Sequence, residues 1–251
     1  MAGEEGGATA PPSSPVRHDG PMGEEGLSAG ELGRIADEIT TRLGYVDIVV
    51  TGAGMGSALP HRCADVLTAQ LDGEDPTADW RRQVGANQAA YYGAAAPPQV
   101  GAAFVLQWYL GVLALPLAGA AVLSPWVLAG TPETLSYDLA EPELFPIAIG
   151  VTAAGATAVS DPAARLDLAH ERYLAHATAF AEAYHPPEVR MGSGQRGGLV
   201  HDAWTMAFES AREWVGSPGD HPPRSRRRGC CMIYALPGAQ ECAACPRGGR
   251  R

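Results

Sequence analysis

The sequence predicts an α+β protein: a predominantly helical body with a small antiparallel β element, followed by a C-terminal cysteine-rich segment. Three observations carry this prediction. Apolar residues recur at steps of three and four over several long stretches, the helical period. β-branched or alternating runs are confined to residues 45–51 and 145–160. Four of the five cysteines fall between Cys230 and Cys245. With 251 residues, 46% hydrophobic and 18% charged, the chain can build a core, which excludes wholesale disorder. Its length suits one sizeable domain with an appendage.

Residues 1–29 are acidic, rich in Gly and Pro and without periodicity, so they predict a disordered leader. They lack the basic start, apolar run and cleavage site of a secretory signal. The expected compartment is therefore the reducing cytoplasm, where clustered thiols point to metal or redox chemistry before disulfides. The body is expected over residues 30–215, and a linker with the terminal segment over 216–251.

The elements follow in order. Ser28 and Glu31 form a capping-box pair, and Leu32, Ile35, Ile39 and Leu43 repeat at helical spacing up to Gly44, predicting a helix over 30–43. Tyr45–Thr51 reads as a strand, and Cys63–Leu71 as a short helix closed by Asp72-Gly73. No charged residue occurs from Gln83 to Pro132. Length alone would let Val100–Leu128 span a membrane. Gln107, Pro116, Pro125 and the acidic residues downstream argue instead for a buried, Pro-kinked helix pair. The uncharged stretch leaves two placements open, burial in the body or peripheral contact with a membrane surface.

Phe145–Ser160 alternates on both sides of Ala153-Ala154-Gly155, which predicts a hairpin or two short strands. Asp161-Pro162 caps a helix striped by Leu166, Ala169, Tyr173, Ala177, Phe180 and Tyr184, stopped by Pro186-Pro187. After a glycine-rich loop from Met191 to Gly198, a last helix carries Val200, Trp204, Ala207, Phe208, Ala211 and Val215. Residues 216–223 have linker composition.

The net charge of −10 argues against a surface that grips nucleic acid, because phosphate needs a positive field. Charge is nonetheless segregated: from Arg224 to Arg251 there are seven arginines and one glutamate. The cluster Arg224, Arg226, Arg227, Arg228 reads either as a solvated basic run or as charge that favours a reduced cofactor and docks an acidic electron donor.

The terminal thiols read Cys230-Cys231, ten residues, Cys242-Ala-Ala-Cys245. Four thiolates make a complete soft metal shell, suited to zinc, copper(I) or an iron–sulfur cluster. Zinc sites usually present ligand pairs as C-x₂₋₄-C, whereas adjacent cysteines point apart and fit more naturally around a two-iron cluster. Zinc and a disulfide stay open as alternatives at this level.

Other motifs fail their own requirements. In Gly52-x-Gly54-x-Gly56-Ser57 the third glycine of a dinucleotide fingerprint is replaced by Ser57, and Pro60 would break the phosphate-facing helix. His170-Glu171 begins like a zinc-protease motif, but position 174 is Leu and His176 lies too far along. Neither Ser57 nor Ser193 sits in a nucleophile elbow. His170, His185 and His201 read as solvent-facing or satisfied residues. Trp108, Trp126 and Trp204 read as core packing rather than ligand contacts, and Cys63 as a buried thiol without a role.

The pattern C-C-x₁₀-C-x₂-C at the C-terminus, after a mostly helical body, resembles the FhuF-like ferric-siderophore reductases. The matching residues are Cys230, Cys231, Cys242 and Cys245, with Arg228-Gly-Cys-Cys-Met-Ile-Tyr-Ala-Leu-Pro237-Gly238 similar to the family's Arg-rich lead and Tyr…Leu-Pro stretch. This covers about twenty residues; in the body, Gln107-Trp108 and Trp204 follow the family's general order. The resemblance implies a [2Fe-2S] cluster on the four cysteines. It further implies a cytoplasmic bacterial oxidoreductase that passes one electron to siderophore-bound Fe(III), with a ferric siderophore and an unidentified electron donor as partners. The competing readings are a structural zinc module held by the same four cysteines and an iron–sulfur electron carrier without a siderophore site. No residue is assigned a catalytic role.

Overall fold

A computed structural model describes residues 26–52, 59–216, 225–242 and 244–248. The first 25 residues of the expected leader, the glycine-rich 53–58 with Gly54, Gly56 and Ser57, and the linker stretch 217–224 lie outside these described residues. Order begins before residue 30. Leu27 is buried, and Ser28 Oγ accepts the Glu31 amide at 3.2 Å.

That cap starts helix α1 (Ala29–Leu43), which ends on Gly44 in the left-handed conformation and buries Leu32, Ile35 and Ile39 as the spacing required. Strand β1 (Asp47–Val50) follows. A two-residue strand β2 (His61–Arg62) leads into α2 (Cys63–Leu71), whose bounds are those read from the sequence. Helix α3 (Ala78–Tyr92) was not expected. It buries only Trp80, Arg81 and Val84, too few to make a periodic stripe. It is held instead by Arg81, whose buried guanidinium reaches Asp75 at 2.6 Å and Glu188 at 2.8 Å.

The helix pair over 100–128 is corrected to one helix, α4 (Pro98–Leu123), with Pro116 inside it. Pro116 removes one amide donor, but both flanks of the helix are packed, so the chain keeps its helical path. The chain then turns at Ser124, whose Oγ bonds the Ala120 carbonyl at 2.8 Å, into strand β3 (Trp126–Val127). By length and composition α4 could cross a membrane. In this fold it is the central strut, packed against α1, α3, α5 and α6, and 72% of its most apolar window is buried.

Strand β4 (Leu135–Leu139) was also unexpected. Strands β5 (Pro146–Val151) and β6 (Thr157–Ala158) realise the two-strand reading of 145–160, but they do not form a hairpin. β6 pairs with β3, while β5 joins a four-stranded sheet of order β1-β5-β4-β2. That sheet is mixed rather than purely antiparallel, because β1 runs parallel to β5.

Helix α5 (Pro162–Ala183) is capped by Asp161, which accepts the Ala164 amide at 2.8 Å. It presents Ala169, Tyr173, Ala177 and Phe180 to the core, with Tyr184 buried just beyond its end and Leu166 half-buried. Helix α6 (Ser193–Val215) begins six residues earlier than the glycine content suggested, so the expected loop over 191–198 is largely helical. Its buried face is Leu199, Val200, Ala203, Trp204, Ala207 and Ala211; Val215 is exposed.

Candidate functional site

The early start of α6 is what places the cysteine segment. Gly198 is buried on that helix, and a Cβ there would meet the Gly229 nitrogen at 2.8 Å and the Arg228 carbonyl carbon at 2.9 Å. A Cβ on Gly229 would meet the Leu199 nitrogen at 2.7 Å. Backbone therefore lies on backbone, a contact open only to glycine on both sides.

One turn along α6, Asp202 is 3% exposed and accepts the backbone amides of Arg228 and Gly229, each at 2.8 Å. The Gln195 side chain donates to the Cys230 carbonyl at 3.0 Å. The segment is thus docked on the body by buried, charge-assisted hydrogen bonds. The three arginines described here divide. Arg226 and Arg228 are exposed, while Arg227 turns inward with 9% of its side chain accessible. Its Nη2 donates to Gln107 Oε1 of α4 at 2.6 Å and its Nε faces Asp202 Oδ2 at 3.4 Å.

Within the segment the backbone folds tightly. Arg227 donates to the Ala244 carbonyl at 3.0 Å, Cys245 to the Cys242 carbonyl at 2.9 Å, and a 3-10 turn spans Ile233–Ala235. Leu236 is buried beneath it, and Arg247 stacks on the Tyr234 ring at 3.7 Å. All four cysteines are free thiols, so the disulfide alternative is not realised. Cys231 and Cys245 are buried, Cys230 and Cys242 half-buried.

The thiols lie within electrostatic reach of one another. Burial pushes the Cys242 thiol up, Cys231 and Cys245 add to this, and the nearby Arg227 guanidinium partly offsets it. Burial likewise raises Cys230, with the Met232 amide opposing. Among the described residues no three His, Cys, Asp or Glu side chains converge on a single-ion position. The donor set of four soft thiols in one compact segment nevertheless fits a [2Fe-2S] cluster, which distributes four sulfur ligands over two irons.

The segment forms one wall of a cleft of about 790 Å³. Trp108 and Leu115 from α4, Phe145 and Ile149 from β5 and the residue before it, and Met206 from α6 give it an apolar lining, which Arg227 and Cys242 join. This volume is typical of small-molecule sites. Trp108, read from the sequence as core packing, is half-buried and lines the cleft, whereas Trp126 and Trp204 are buried as expected. Sequence reasoning missed Asp202, and it named Gln107 only as a polar residue of the uncharged stretch and beside Trp108 in the family's order; its bond to Arg227 appears only when the segment folds back onto the body.

Cys63 is fully buried at the start of α2, its thiol pushed up to about 12 by burial. His170 stacks on Trp204 with ring centroids 4.9 Å apart. His176 is the buried histidine that the sequence did not single out; its Nε2 meets the Tyr109 hydroxyl and its Nδ1 the Gly130 carbonyl, both at 3.1 Å.

No curated protein matches the chain. Residues 227–247 match the family model of the FhuF 2Fe-2S C-terminal domain, a span that opens on the inward-turned Arg227 and contains all four clustered cysteines. Residues 227–247 are thus similar to the FhuF 2Fe-2S C-terminal domain, which indicates a [2Fe-2S] cluster as the cofactor of this segment.

Proposed function

We propose that this protein is a ferric-siderophore reductase, with Cys230, Cys231, Cys242 and Cys245 as the cluster ligands and the adjoining cleft as the seat of the ferric chelate. The observation that carries this reading is that Cys242 lines the cleft, beside Arg227. A chelate resting there is in contact with the cluster-bearing segment. When bound, a [2Fe-2S] cluster supplies one electron at a time, at potentials near about −400 mV for plant-type four-cysteine centres.

The residues that line the cleft do the binding. Trp108, Leu115, Phe145 and Met206 offer an apolar surface to the organic shell of the chelate, and Arg227 and Gln107 offer polar groups to its oxygens. Hard siderophore oxygens suit Fe(III) and hold Fe(II) far less tightly, so one electron turns a tight complex into a labile one. Arg226, Arg228 and Arg247 are exposed around the segment and give a basic face for an acidic electron donor. The reaction belongs in the cytoplasm, where the donor would be a protein or small reductant.

Anaerobic purification with iron, zinc and acid-labile sulfide analysis tests this. About two irons and two sulfides per chain are expected, with colour that dithionite bleaches and a ferric siderophore restores. One zinc per chain without colour, from iron-replete cells, overturns it. Colour that no ferric siderophore restores would leave an electron carrier and remove the reductase.

A further inference from the structure

Arg227 occupies a position that neither the ligand set nor the cleft explains alone. It belongs to the cysteine segment, yet its side chain is directed into the body, against α4 and α6. Asp202 pairs with it across a buried 3.4 Å contact to Nε, while the same carboxylate also accepts the amides of Arg228 and Gly229 at 2.8 Å. Its short bond, at 2.6 Å, goes to the neutral amide oxygen of Gln107. Among the described residues no oxygen accepts from Nη1. The other charged residue of the cleft, Glu209, is engaged by the Ser225 amide at 3.1 Å and by its hydroxyl. The cleft is thus lined by a guanidinium that lies against the Cys242 thiol and, among the described residues, has no oxygen partner on Nη1.

We propose that Arg227 couples the two halves of the site: it raises the reduction potential of the cluster segment, and an oxygen-rich chelate in the cleft lowers that potential by drawing on the same guanidinium. The inference rests on the reductase reading above and adds a regulation to it. Positive charge beside a sulfur ligand favours the form with one more electron. A chelate that takes hydrogen bonds from Arg227 screens that charge and makes the reduced segment a stronger donor only while the chelate is present. By linkage, the oxidised protein then binds the chelate more tightly than the reduced protein, by the same factor. Arg227 acts here as a positioning and tuning residue, through the cluster segment.

The test is the midpoint potential of the loaded protein, followed by visible absorption, with and without redox-inert gallium(III) complexes of a hydroxamate, a catecholate and a carboxylate chelator. In wild type, a gallium complex that binds is expected to lower the potential. In Arg227→Gln the equilibrium constant for reduction is expected to fall about tenfold, which is about 59 mV for one electron, and the gallium-dependent shift to vanish. Arg227→Lys, which keeps the charge but not the fork, should stay within about threefold of wild type without the complex. If Arg227→Gln fails to hold the segment, Gln107→Glu, which neutralises the guanidinium in place, should lower the potential in the same direction. An unchanged potential in whichever of these variants folds overturns the proposal, as does a gallium shift of equal size with and without the arginine. Failure of every gallium complex to bind wild type overturns the ferric-chelate reading and the linkage built on it. A lowered potential in Arg227→Gln would then show the charge effect standing by itself.

Discussion

The Asp202 carboxylate, buried on α6, accepts the Gly229 amide at 2.8 Å, one residue before the first clustered cysteine. Together with the Arg228 amide on its other oxygen, this makes one acid the main anchor between body and cluster segment. Replacing Asp202 with Ala leaves two amides and a largely buried guanidinium without their acceptor, a loss on the order of 3–5 kcal/mol for a buried charged network. The cost falls on docking rather than on the helical body, whose core residues it does not touch. Asp202→Ala should therefore keep its far-UV helical signal, lose most of its iron, and become rapidly cleaved by trypsin at Arg226–Arg228. Retention of full iron content and trypsin resistance would show that the anchor lies elsewhere.

The paired glycines give a sharper comparison. In isolation, Gly→Ala inside a helix is stabilising by about 1 kcal/mol. Gly197 has open space where its Cβ would stand, whereas at Gly198 the Cβ would lie 2.8 Å from the Gly229 nitrogen and 3.0 Å from its Cα. Those neighbours are backbone and cannot turn aside. Gly197→Ala should raise the thermal midpoint slightly with cluster content unchanged. Gly198→Ala should lose cluster absorbance although its helix propensity improves. Equal cluster content in the two variants would contradict the close approach.

These residues also mark where the sequence stops being legible. Caps at Ser28 and Asp161 and the stripe along α5 are local signals, read within one or two turns, and the structure realises them. The four cysteines are legible for the same reason: their chemistry lies in a short spacing. The run from Ser193 to Gly198 misleads, because it is helical and its last glycine, Gly198, serves a tertiary contact with Gly229 rather than a loop. Strand β4 is defined by partners on β2 and β5 distant in the chain, and α3 is held by ion pairs to Asp75 and Glu188 rather than by an apolar face. The cleft draws its walls from α4, β5, α6 and the terminal segment, so no single window of sequence contains it.

The five thiols should separate by reactivity. Cys63 is fully buried and its thiol is pushed up to about 12, so at neutral pH it is protonated and shielded. The four clustered cysteines are free and, with two of them half-buried, more accessible. Apoprotein treated with an alkylating agent under native conditions should label at Cys230, Cys231, Cys242 and Cys245 and spare Cys63, which reacts only after unfolding. Loading with iron and sulfide should protect the four. Serine at any of the four should reduce cluster content, while Cys63→Ala should leave it unchanged. Peptide mapping by mass spectrometry reads all of these results, and early labelling of Cys63 would contradict its placement.

Acid should destabilise the body through His176. The Gly130 carbonyl takes a donor, so Nδ1 carries the proton and Nε2 accepts from the Tyr109 hydroxyl, which fixes a neutral imidazole in the core. Burial lowers its pKa from 6.5 to about 4, against the smaller opposing pull of the Gly130 carbonyl and Glu133. With the folded value below the unfolded one, the unfolded chain binds the proton first. The stability this histidine contributes is present above pH 6.5 and is lost as pH falls toward about 4. The loss amounts to about 3 kcal/mol at its limit, or on the order of 5–10 °C in thermal midpoint for a domain of this size. His176→Gln cannot take up that proton, so although less stable at neutral pH it should show a smaller drop between about pH 7 and pH 4.5. Calorimetry of apoprotein at the two pH values measures both drops, and equal drops in wild type and variant would place the acid sensitivity in other groups.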